Sequence, residues 1–127
     1  MKIKLTSLLV DDQEKALRFY TDVLGFVKKT EIPMGEFKWL TVVSKEDPDG
    51  PELVLEPLGF APSRVYQQAL FDAGIPLTML GVDDVQQEYD RLSQLNVRFR
   101  MPPTKMGSIT LAMFDDTCGN YIQIFQV

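Results

Sequence analysis

The chemistry open to this chain is bounded first by side chains it lacks. Its 127 residues contain no histidine and a single cysteine, Cys118. A Ser-His-Asp triad, a Cys-His dyad, a histidine general base and every histidine-containing metal site are therefore excluded. Zinc-cysteine sites fall with them, which leaves only oxygen-ligand metals such as Mg, Ca or Mn. Cys118 lies in the turn sequence Asp-Thr-Cys-Gly-Asn with no base beside it to lower its pKa, so a nucleophilic role is not expected. Two glutamates stand out, Glu52 and Glu56, which alternation places on one face of a strand. Such a pair can serve acid–base chemistry or hold a hard cation; near strand ends it can equally be a solvated rim. Trp39 is the only tryptophan, a stacking platform for a ligand or else a core or dimer contact, and its indole N–H needs a partner in either role.

The elements that must position these residues are written twice. Shifted by 72 residues, Leu5, Thr6, Leu8, Val10, Asp11, Asp12, Met34 and Gly35 meet Leu77, Thr78, Leu80, Val82, Asp83, Asp84, Met106 and Gly107. An internal repeat of this kind constrains a fold more than any single motif. In the first copy, residues 2–10 alternate as a strand. Asp11, with Glu14 three residues on, reads as the cap of a helix to about Leu24, with Ala16, Leu17, Tyr20 and Val23 on its apolar stripe and Gly25 as its stop. A short strand near Phe26–Thr30, a turn at Met34-Gly35, a strand Phe37–Val43, a hairpin turn through Lys45–Pro51 and a closing strand Glu52–Glu56 complete a βαβββ unit. The second copy repeats it, with Leu77–Val82, a cap pair Asp83 and Gln86, a helix carrying Val85, Tyr89, Leu92 and Leu95, a left-handed Asn96, and strands at Arg98–Met101, Ser108–Phe114 and Tyr121–Gln126. Between the copies Ser63 can cap a short helix, Arg64–Ala73. That helix is either a linker packed on the sheet edge or a lid over a ligand cavity.

The totals agree with one domain of ordinary globular composition, 45% hydrophobic and 24% charged. No stretch reaches the ~20 apolar residues of a membrane helix and no signal peptide is visible, so no membrane partner is expected, and with one cysteine a cytoplasmic setting is. The net charge of −5 and the absence of a basic stripe argue against a nucleic-acid partner.

The segments Leu8-Leu9-Val10-Asp11-Asp12, Phe19-Tyr20 with Val23-Leu24-Gly25-Phe26, and Glu52 to Pro57, with Gly81 to Asp84 and Phe114-Asp115-Asp116 through Gly119-Asn120-Tyr121-Ile122-Gln123 in the second copy, resemble the vicinal oxygen chelate superfamily: glyoxalase I, bleomycin and fosfomycin resistance proteins and extradiol dioxygenases. The resemblance implies an α+β fold of two βαβββ modules, about 1–57 and 76–127 around a linker at 58–75, forming a curved mixed sheet, a cup with helices outside and ligand inside. Metal-using relatives place one ligand on each of four strands. Those positions fall here on Leu5, Val54, Leu77 and Gln123, so no metal and no other cofactor is expected.

Strand parity from those positions then fills the cup. Ile3, Ser7, Leu9, Glu52, Glu56, Met79, Tyr121 and Phe125 share its face, with Phe37, Trp39, Thr41, Ile109, Leu111 and Met113 from the central strands. Leu40, Val42, Ala112 and Phe114 should face the helices. The expected ligand-binding set is Trp39, Met79, Leu111, Met113, Tyr121, Gln123, Phe125 and Glu56, with no catalytic residue identified. The resulting expectation is a metal-free small-molecule binder of the bleomycin resistance type, a homodimer, without metal-dependent glyoxalase or dioxygenase activity. Two alternatives stand beside it: an enzyme with a displaced carboxylate site at Glu52 and Glu56, and an interaction domain whose cup its own side chains fill.

Overall fold

The alternating patterns become strands whose inward halves carry the core. A computed structural model describes every residue, Met1 to Val127. The chain divides into two units, Met1–Arg64 and Val65–Val127. In the first, β1 (Leu5–Val10), β2 (Val27–Met34), β3 (Phe37–Val43) and β4 (Glu52–Pro57) form one mixed sheet in the order β1-β4-β3-β2. In the second, β5 (Thr78–Gly81), β6 (Phe99–Met106), β7 (Ile109–Asp115) and β8 (Tyr121–Gln126) form another in the order β5-β8-β7-β6. The last strand of each unit is inserted between the first and third, parallel to the first. The repeat carries into the register: Leu8 pairs with Leu55 as Leu80 pairs with Ile124, and Thr41 pairs with Val54 as Met113 pairs with Gln123.

One face of each sheet is closed by its helix. Leu8, Val10, Leu40, Val42 and Leu55 are fully buried with Ala16 and Tyr20 of the first helix, and Ala112, Phe114 and Ile122 are fully buried with Val85 of the helix that follows β5. At about 1.5–3 kcal/mol for each large side chain removed from water, these faces supply most of the stability of the two sheets. Leu40, Val42, Ala112 and Phe114 thus lie on the faces that alternation assigned them.

Helix α1 (Gln13–Arg18) runs into a π-turn, Phe19–Val23, while α3 spans Val85–Gln94. Each starts one residue later than the capping pattern led us to expect. Asp12 and Asp84, not Asp11 and Asp83, hold extended N-cap backbone and accept from the N–H groups of Lys15 and Gln87, each at 3.0 Å. Glu14 consequently falls in the first turn, where it faces the positive helix end without closing a capping box. Asp11 instead pairs with Lys15 Nζ at 3.0 Å.

Two further boundaries differ. β2 and β6 run on through Pro33 and through Pro102 and Pro103: both are edge strands, and the β6–β7 register shifts between Met101 and Thr104, so the two adjacent prolines fall outside the ladder. They end in tight hairpins at Gly35 and Gly107, whose φ values of +65° and +67° favour glycine. Helix α2 (Ala61–Ala73) begins before Ser63, which lies in its first turn and donates its backbone N–H to Phe60 O. Pro62 sits early enough in that helix for its lack of an N–H to be harmless.

Candidate functional site

The open face of each sheet, opposite its helix, carries the residues singled out by the sequence. In the first unit the rows across the sheet are Leu5 with Glu52, Ser7 with Val54 and Thr41, and Leu9 with Glu56. Ile32 pairs with Trp39 and Met34 with Phe37 on the edge side. Thr41, Val43 and Val54 form a buried floor. Around it Leu5, Ile32, Met34, Phe37 and Trp39 remain exposed, Trp39 at 36% and Phe37 at 39%. Thr41 donates its hydroxyl to Glu52 Oε1 at 2.6 Å, which fixes that carboxylate over the floor.

The seam between β3 and β4 is unusual. Only Thr41–Val54 and Val42–Leu53 pair across it. Beyond them the amide of Gln13 takes the place of the ladder: its Nε2 donates to Lys38 O and Leu55 O, each at 2.8 Å, and its Oε1 accepts from Lys38 N at 3.0 Å. A cleft of about 280 Å³ opens at this end, lined by Gln13, Phe37, Lys38, Pro57, Leu58 and Arg64 with Asp11, Asp12, Glu14 and Glu36. On its wall Lys38 is paired with Glu14 and, at 2.8 Å, with Glu31, which also receives Lys28 at 2.8 Å. The two ammonium groups hold the Glu31 carboxyl down at about 2, and the two carboxylates hold Lys38 above the usual lysine range.

In the second unit the ladder is unbroken from Thr110–Gln126 to Asp115–Tyr121. Met79, Gln123 and Met113 form one row and Gly81, Phe125 and Leu111 the next. Leu111 and Met113 are buried, Gln123 and Phe125 half-buried, and Met79 57% exposed. Gln123 donates Nε2 to the Met79 sulfur at 3.0 Å. Tyr121 is stacked on Phe71 of α2, ring centroids 4.3 Å apart and nearly parallel, with the Arg100 guanidinium 5.2 Å from its centroid. Helix α2 is also tied down by Gln67, buried, which donates to Cys118 O at 3.2 Å and Asn120 Oδ1 at 3.0 Å. Asp116, fully buried, accepts from the N–H groups of Cys118 at 2.7 Å and Asn120 at 3.0 Å and from Asn120 Nδ2 at 2.8 Å. Cys118 is buried within this knot.

The structure therefore brings Trp39 and Glu56 to one sheet face and Met79, Leu111, Met113, Tyr121, Gln123 and Phe125 to another. The four positions that the resemblance would assign to a metal do not fit a cation. Leu5, Val54 and Leu77 have no donor atoms, and the Gln123 amide is turned to a thioether. Glu52 and Glu56 lie four residues apart along one strand, roughly 13 Å at ~3.3 Å per residue, and do not converge on a common ion. Sequence reasoning missed Gln13, Gln67 and Phe71. A glutamine at a helix start carries no distinguishing pattern, although Gln67 is a polar residue on a helix otherwise read for its apolar stripe.

The chain is thus two βαβββ units, each with a helix on one sheet face and apolar side chains on the other. Residues 2–124 match the model of the Glyoxalase/Bleomycin resistance protein/Dioxygenase superfamily, and the chain belongs to that superfamily. It is 55% identical over 126 residues, 99% of each chain, to the uncharacterized protein YurT of Bacillus subtilis (strain 168). Among solved structures it is similar to UcmS2, with 30% identity, a TM-score of 0.85, and coverage of 98% of this chain and 97% of that one. It is likewise similar to TnmS3, an antibiotic binding protein from Streptomyces sp. CB03234, at 30% identity and a TM-score of 0.75 over 99% and 95% of the two chains.

Proposed function

We propose that this protein binds a planar, largely apolar small molecule on the open sheet faces without a metal, in the manner of an antibiotic-sequestering protein, and that it works as a homodimer. The observation that carries the reading is the composition of those faces. Leu5, Val54, Leu77 and Gln123 stand where the family coordinates metal; on the same faces lie Trp39 and Phe37 in the first unit, with the carboxylates Glu52 and Glu56, and Met79, Met113 and Phe125 in the second. Methionine and aromatic side chains accommodate ligands of varied outline. Similarity to TnmS3, described as antibiotic binding, supports the same class of ligand. The exposed Leu5, Ile32, Met34 and Met79 are surface that a second copy would cover.

The test is a thermal-shift screen of purified protein against aromatic antibiotics and planar metabolites, since a ligand that binds only the folded state raises its stability. Trp39→Ala should abolish the ligand-induced shift and leave the assembly intact. A screen in which no planar compound raises the melting temperature, or a shift untouched by Trp39→Ala, would overturn the reading. Light scattering that gives 14.5 kDa at micromolar concentration would remove the dimer from it.

A further inference from the structure

The repeat provides an internal control for each position of the sheet. Trp39 and Glu56 flank the seam where the β3–β4 ladder stops, and register places both on the open face beside Leu9 and Ile32. The equivalent row of the second unit is Gly81, Phe125, Leu111 and Thr104. The position of Glu56 is thus occupied by Phe125 in the copy, and the position of Glu52 by Tyr121. An aromatic side chain satisfies the fold at both places; Glu52 serves the buried Thr41 hydroxyl, which has no counterpart at Met113, whereas Glu56 has no such role in the fold. Glu56 is exposed and takes part in none of the ion pairs of the structure. The other strand residues on this face, from Leu5, Ser7 and Leu9 to Thr30, Ile32, Met34, Phe37, Thr41 and Val43, include no lysine or arginine. Lys29, in the β2 bulge, is turned to Pro48 O and Asp49. A face with an exposed indole, an exposed phenyl ring and two carboxylates without counter-ions is complementary to a positive charge carried on a flat apolar body.

Resting on the binding reading above, we propose that the first unit selects planar ligands bearing a cationic nitrogen, the ring lying against Trp39 and the positive group beside Glu56. Glu52, held by Thr41 farther along the strand, adds field rather than contact. No bond is made or broken; the selectivity is electrostatic and falls as salt screens it.

Three tricyclic probes of matched outline test this by calorimetry at pH 7: 9-aminoacridine, cationic; acridone, neutral; and acridine-9-carboxylate, anionic. The cation should bind about tenfold tighter than acridone at low salt, a difference of ~1.4 kcal/mol, and the anion weakest of the three. Glu56→Gln should bring the cation down to the level of acridone, Glu56→Asp should keep part of the gap, and 0.5 M salt should shrink it. Glu46→Gln, in the exposed turn between β3 and β4, should leave it unchanged, which separates a local carboxylate from net charge. Equal affinities for cation and neutral probe, or a gap that survives Glu56→Gln, overturn the cation selectivity while leaving planar-ligand binding standing. No binding of any probe to folded protein, in a protein that also fails the thermal-shift screen, overturns both.

Discussion

Replacing Gln13 by leucine isolates the device that holds the β3–β4 seam. The side chain makes three hydrogen bonds to main-chain atoms of Lys38 and Leu55, which no ladder partner satisfies at this point. A net hydrogen bond contributes about 1 kcal/mol, and a desolvated group left without a partner costs about 1–3 kcal/mol. Gln13 is half-buried, so water recovers some of the loss. The expected destabilisation is about 2–3 kcal/mol. It should appear in urea titrations as a lower midpoint with an unchanged slope, because the surface exposed on unfolding is the same. The amide of Lys38 should exchange faster with solvent deuterium, while that of Leu40, on the same strand and fully buried, should keep most of its protection. A change below about 0.5 kcal/mol with Lys38 still protected would mean that β3 and β4 zip together without the glutamine, and the plug would then be a consequence of the seam rather than its support.

Further expectations concern caps, charge and the buried knot. Asp12→Ala should cost about 1 kcal/mol and Asp11→Ala only a few tenths, since the first removes a cap and the second an exposed ion pair; equal costs in urea melts would return the cap to Asp11. Lys28 and Lys38 depress Glu31 to about 2, so its contribution is complete above the ordinary carboxylate value and is lost as pH falls toward 2. Glu31→Gln should accordingly flatten the stability profile between about pH 4 and pH 2, and a parallel profile would refute the assignment. Cys118 should resist a thiol reagent in native buffer and react fully in urea, whereas rapid native labelling would show that the Asp116–Asn120 loop opens. Gln67→Leu should destabilise the second unit by about 2 kcal/mol by removing two buried hydrogen bonds, to Cys118 O and Asn120 Oδ1, as read by chemical denaturation; a neutral effect would mean that packing such as the Phe71–Tyr121 stack holds α2 without them.

The repeat made the fold legible, because two copies of one pattern had to agree. The strand faces followed, since a parity error would have turned Leu40 and Phe114 to the open side. Two kinds of feature were not legible. Caps are decided by which of two adjacent aspartates reaches extended backbone, and Asp11-Asp12 offers both. Whether a strand runs on through Pro33 or Pro102 depends on its being an edge, which is a property of sheet order and not of the local sequence. The candidate site was legible as a set of faces, while the gap in the β3–β4 ladder and the glutamine that fills it arise from long-range geometry. Nothing near residue 13 announces them.

The insertion of each unit's last strand beside its first has a consequence for how the chain is made. Leu5 can pair only when Glu52 has emerged, so the first strand waits through nearly the synthesis of its unit for a parallel neighbour. By then a rival is coming. Leu77-Thr78-Met79-Leu80 repeats Leu5-Thr6-Ser7-Leu8, and Thr78 lies closer along the chain to Leu55 than Thr6 does. Loop-closure entropy alone slightly favours the wrong partner. The order of translation favours the right one, because the first unit is complete before the second copy of its opening strand leaves the ribosome. Translation order thereby helps a chain that carries its opening strand twice to pair each copy within its own unit, and refolding from denaturant, where that order is lost, is the condition under which the strands would be exchanged.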